Sequence, residues 1–122
     1  MVDYVELSVD DLLLDQDNPR LGSAGSQSEA LQRLIDLNPS HFRKMMQSIK
    51  DHGLDPGDSL YVIVGDTEDD YIVLEGNRRL SALKILTRPD LLDGITVNEA
   101  VKKSLISIVA GFDRTRVRTH NQ

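Results

Sequence analysis

The chain has 122 residues, a formal net charge of −6, no cysteine, and 39% apolar residues with few aromatics. That suffices for one domain around an aliphatic core. It excludes disulfides, thiolate metal sites and cysteine nucleophiles, and it argues against a generally basic nucleic-acid binder. The first residues carry no basic–apolar leader pattern, and no apolar run approaches membrane-spanning length. The expectation is a cytoplasmic protein with no membrane partner.

Tyr4-Val5-Glu6-Leu7 reads as a first strand. Ser8-Val9-Asp10-Asp11 has capping-box spacing, which predicts a short helix over Asp10 to Leu14. Asp15-Gln16-Asp17-Asn18-Pro19-Arg20 follows as a loop. Pro19 holds Asn18 extended and so fixes how Asn18 and Arg20 are presented. Leu21 to Ser28 is rich in Gly and Ser and reads as a flexible connector or flap.

Glu29 to Leu37 predicts a helix with Leu31, Leu34 and Ile35 inward and Leu37 a further candidate for that face. Asn38-Pro39 restarts the helix, with Asn38 as N-cap and Pro39 at the first helical position. Phe42, Met45, Met46 and Ile49 then recur at helical spacing, and Gly53 ends the element. Leu60 to Val64 is a second strand, and Gly65 to Asp70 an acidic hairpin turn.

Tyr71 to Leu74 is a short apolar run that suits a strand covered on both faces. Gly76 marks a sharp turn and close backbone approach, and Asn77 is a candidate N-cap. From Leu80 the apolar period is helical, through Leu83 and Leu86. Arg78 and Arg79 fall in the first turn of that helix, where cations oppose the macrodipole. Two arginines, a glycine and free helix N–H groups at one point suit a bound anion. Leu91 to Gly94 is a short helical turn, Asn98 to Lys103 a short helix, and Ser104 to Ala110 a last strand.

Charge is unevenly spread. Residues 51–70 hold seven acids and no Lys or Arg, whereas the last ten residues carry Arg114, Arg116 and Arg118. The polar, basic end predicts a domain over 1–112 and a tail over 113–122 that leads into a further region. That tail could touch DNA; the competing reading is a solvated terminus.

Three pieces in order carry a family resemblance: Asp17-Asn18-Pro19-Arg20, then Ser48-Ile49-Lys50-Asp51-His52-Gly53-Leu54-Asp55-Pro56, then Glu75-Gly76-Asn77-Arg78-Arg79-Leu80-Ser81-Ala82-Leu83. Together, over roughly Val5 to Leu86, they resemble the ParB N-terminal/sulfiredoxin-like domain family. The resemblance implies an α/β (α+β) fold, a small mixed sheet flanked by helices. It implies a bound nucleoside triphosphate, ATP or CTP, with Mg²⁺ as a candidate companion. By position, Gly76, Asn77, Arg78 and Arg79 would bind the phosphates, and Asn18 and Arg20 would reach the same pocket. Sulfiredoxins have a cysteine where this chain has Asn77, so sulfinic acid reduction is not expected. ParB proteins usually have Glu there; here the acid stands one residue before the glycine, as Glu75.

Glu75 is accordingly the candidate catalytic residue, as a general base or Mg²⁺ ligand. Its bland reading is a counter-ion to Arg78 or Arg79. His52 is a weaker acid–base candidate, since a histidine at a helix C-terminus often only complements the dipole. The expected function is a nucleotide-binding domain, with hydrolysis open, of a bacterial or phage DNA-associated or defence protein. The alternatives are a metal-dependent nuclease module using Glu75, and a non-catalytic protein-interaction domain. Homodimerisation stays open.

Overall fold

The computed structural model describes residues 9–18, 22–53, 60–65 and 71–110. The expected Tyr4–Leu7 strand, the acidic turn over 66–70 and the basic tail lie outside them. The observed fold is α+β: a three-stranded mixed sheet with helices packed on it.

Strand β1 (Leu12–Leu14) follows a single 3-10 turn (Val9–Asp11). The helix expected over Asp10 to Leu14 is therefore corrected. Leu12 and Leu14 are buried and Leu13 is not, so the triplet alternates as a strand does. Its parallel partner β3 (Tyr71–Glu75) pairs Leu12 with Tyr71 and Leu14 with Val73. Pairing with a distant strand outweighs a local capping signal of a few residues.

Strand β2 (Tyr61–Val64) lies antiparallel on the other side of β3, giving the order β1-β3-β2. The hairpin relation of the two strands matches expectation. Coverage of both faces of β3 does not. Val73 is fully buried, but Leu74 is 45% exposed and Ile63 on β2 is 48% exposed. Among the described residues only one face of the sheet is packed.

The packed face meets helix α3 (Asn77–Thr87), which is the centre of the core. Leu80, Ala82, Leu83, Ile85 and Leu86 are all buried, so the helix is apolar nearly all round, as a central helix should be. Ser81 is buried with them and donates from Oγ to Asn77 O at 2.9 Å.

Helix α1 (Gln27–Leu37) is capped by Ser26, whose hydroxyl accepts from Glu29 N–H. Helix α2 (Pro39–His52) is capped by Asn38, with Pro39 at its start. It ends at Gly53, φ 73°, whose N–H donates to Ile49 O at 2.8 Å. Phe42 and Met46 on α2 and Ile35 on α1 fill the core against α3.

After a second 3-10 turn (Pro89–Gly94), helix α4 (Glu99–Ala110) replaces both the short helix and the strand expected there. Asn98 Oδ1 accepts from Ala100 N–H at 2.8 Å at its start. Leu105 and Ile108 are buried three apart while Ile106 is 51% exposed. That is helical spacing; the apolar run over 104–110 fits either period, and packing on α2 selects the helix. Among the described residues no helix is long and apolar enough to cross a membrane.

Candidate functional site

Because β1 and β3 are parallel, their carboxyl ends open on the same side of the sheet. Ligands of open α/β sheets commonly sit outside such ends. Here the two chain exits are tied together by one side chain. Asn77 Oδ1 accepts from Asp15 N–H at 2.9 Å, just past β1, and Asn77 Nδ2 donates to Val73 O at 2.8 Å, on β3. Asn77 is 5% exposed. The turn after β1 closes on Asp15 as well: its Oδ1 accepts from Asp17 N–H at 3.1 Å, and its carbonyl accepts from Asn18 N–H at 3.2 Å.

At the end of β3 the chain turns through Gly76, in the left-handed region at φ 99°, ψ 20°. The positive φ favours glycine, and a Cβ there would also meet the end of the Leu60 side chain, which would have to shift. Gly76, not Asn77, is the N-cap of α3; Asn77 is the first helical residue, because its side chain is committed to the two strand ends. A glycine cap has no side chain to offer the first-turn N–H groups. The first intrahelical bond runs from Leu80 N–H to Gly76 O at 2.9 Å. No acid lies in that turn, which instead carries Arg78 and Arg79.

These elements border a cleft of about 420 Å³. Its lining includes the polar side chains of Asp15, Asn18, His41, Glu75, Asn77, Arg78 and Arg79, with Gly76 among them. It also includes the apolar side chains of Leu34 and Leu37 of α1, Met45 of α2 and Leu74 of β3. The fold thus gathers Asn18, Glu75, Gly76, Asn77, Arg78 and Arg79 at one place. Arg20 lies outside the described residues. Asn77 contributes to the cleft wall, but its Oδ1 and one Nδ2 bond already hold the scaffold.

Glu75 is exposed, and among the described residues no ion pair joins it to Arg78 or Arg79. The counter-ion reading of Glu75 therefore lacks a contact. Among the same residues no group of three or more His, Asp or Glu is arranged to hold a metal ion.

Two cleft residues were not singled out by the sequence. Asp15 supplies the N–H that Asn77 holds. His41, in the first turn of α2, meets Arg78: Nη1 of the arginine lies 3.0 Å from Nδ1 of the imidazole. His52, the histidine weighed from sequence, sits exposed at the opposite end of α2 and does not line the cleft. Nothing local marks His41 as a partner of a residue 37 positions away. Its one sequence signal is a place in the turn opened by Asn38-Pro39.

Comparison of the chain with protein-family models, curated proteins and solved structures finds no match.

Proposed function

We propose that this domain binds a nucleoside triphosphate in the cleft at the start of α3. The observation that carries the reading is the meeting of two unlike kinds of side chain in the lining of one cavity. Arg78, Arg79 and the uncapped first turn of α3 offer charge and N–H donors to an anion. Leu34, Leu37, Met45 and Leu74 offer an apolar wall to a flat, weakly polar body such as a base. A cavity of about 420 Å³ is within the range of small-molecule sites, roughly 300–1,000 Å³. The resemblance of the Glu75-Gly76-Asn77-Arg78-Arg79 stretch to ParB-type phosphate turns supports the same reading.

Asp15 and Glu75 are the carboxylates of the lining, of the type that accompanies Mg²⁺ on a triphosphate. Glu75, which is exposed, is the group we assign to any hydrolysis. Phosphoryl transfer is mostly positioning and charge stabilisation, so a single carboxylate can matter there.

The test is thermal unfolding with ATP, CTP, GTP or UTP, each with Mg²⁺. A nucleotide at 100 times its dissociation constant stabilises the fold by about 2.7 kcal/mol. No stabilisation by any of the four at millimolar concentration refutes the proposal. Where a nucleotide binds and turns over, Glu75→Gln should keep the binding and lose about 10²-fold or more in rate. Unchanged turnover removes Glu75 from the chemistry.

A further inference from the structure

Arg78 meets a histidine on one side and, among the described residues, has a buried donor without a partner on the other. Its Nη1 lies 3.0 Å from His41 Nδ1. A guanidinium has five donors, no acceptor, and does not lose its proton in proteins. In this contact Arg78 therefore donates and His41 Nδ1 accepts. The backbone beneath the imidazole is also fixed: His41 N–H donates to Asn38 Oδ1 at 3.1 Å, in a turn begun by Pro39.

The other edge of the guanidinium is different. Among the described residues Arg78 Nε is buried and has no hydrogen-bond partner. A buried donor in that state is costly unless something completes it. Nε–H and one N–H of Nη2 point the same way in the planar fork, which is the edge that takes two oxygens of one phosphate. Nη1, the remaining corner, is the one His41 occupies. Both residues line the same cleft.

We propose that His41 is a positioning residue: by accepting from Nη1 it sets the plane of Arg78 so that the Nε–Nη2 edge receives a phosphate group bidentately. This rests on the reading of the cleft as a phosphate-binding site. It adds the group that orients the arginine and the edge that recognises the anion.

The experiment is calorimetric titration of the intact chain with inorganic pyrophosphate and with ATP. Four proteins are compared: wild type, His41→Phe, His41→Asn and Arg78→Lys. Phe keeps a ring and loses the acceptor; Asn places Oδ1 where Nδ1 stood. His41→Phe should weaken binding roughly tenfold, the scale of one charge-assisted hydrogen bond. His41→Asn should restore most of that affinity, and a purely structural role for the ring would not give this rescue. Arg78→Lys should weaken binding at least as much, because an ammonium cannot bond through two parallel N–H groups. His41→Phe added to Arg78→Lys should cost little more. Wild-type affinity in His41→Phe, failure of Asn to rescue, or fully additive losses in the double variant would each overturn the proposal while leaving the cleft reading intact. A wild type that binds neither pyrophosphate nor ATP removes the cleft reading itself, and this proposal with it.

Discussion

Asn77 and Asp15 are 62 residues apart, line the same cleft and are joined by one hydrogen bond of 2.9 Å. With the bond from Asn77 to Val73 O, it locks the exits of two parallel strands at the point where α3 begins. Asn77→Ala leaves a part-buried N–H and a buried carbonyl without these partners. The expected loss is about 2–6 kcal/mol, from two groups at roughly 1–3 each. Urea unfolding with an unchanged m-value is the measurement. A loss below about 0.5 kcal/mol, the scale of an ordinary surface substitution, would contradict the assigned role.

Gly76 is constrained by its backbone and by its neighbour. Gly76→Ala forces a side chain into φ 99° and against Leu60. The expected cost is about 1–3 kcal/mol. In a Leu60→Ala background the steric part should vanish and the backbone part remain, so the same substitution should cost less there. Equal costs in the two backgrounds would show that Leu60 is not what the new Cβ meets.

Lys84 gives the fold a pH dependence. Its Nζ donates to Val9 O at 3.3 Å. Burial pushes its pKa below 10.5; the Asp10 carboxylate pulls the other way, and Arg88 adds to the lowering. The folded state thus holds this proton less tightly than the unfolded chain. The cost of a charged Lys84 is present in full below its folded pKa. It is relieved as pH rises from that lowered value towards 10.5, so stability relative to a non-titrating variant climbs through that window. Wild type should gain on Lys84→Met between pH 7 and pH 10 in urea unfolding. A gain by the variant over that interval would mean that the folded pKa is raised.

The parts of the fold that were legible in the sequence are those with local causes. Asn38-Pro39, Gly53 and the switch from strand to helical period around Gly76 each act through a few neighbouring residues, and each stands where expected. The residues over 104–110 carry apolar positions compatible with both periods; only packing against α2 makes them part of α4. Leu12 to Leu14 became a strand because β3 lies beside them. The site divides the same way. Gly76, Arg78 and Arg79 announced themselves by composition at a helix start. The tie from Asn77 to Asp15 and the contact of His41 with Arg78 cross 62 and 37 positions, and no local pattern encodes either.

Phosphates bound at the start of α3, as proposed, would be reported directly by the amide chemical shifts of that turn. The chain is titrated with ATP or CTP in Mg²⁺ while its backbone amide spectrum is followed. The largest shifts are expected at Gly76, Asn77, Arg78, Arg79 and Asp15, all saturating with one dissociation constant. Shifts confined to α4 or the open face of the sheet, or none at millimolar nucleotide, would contradict the proposal.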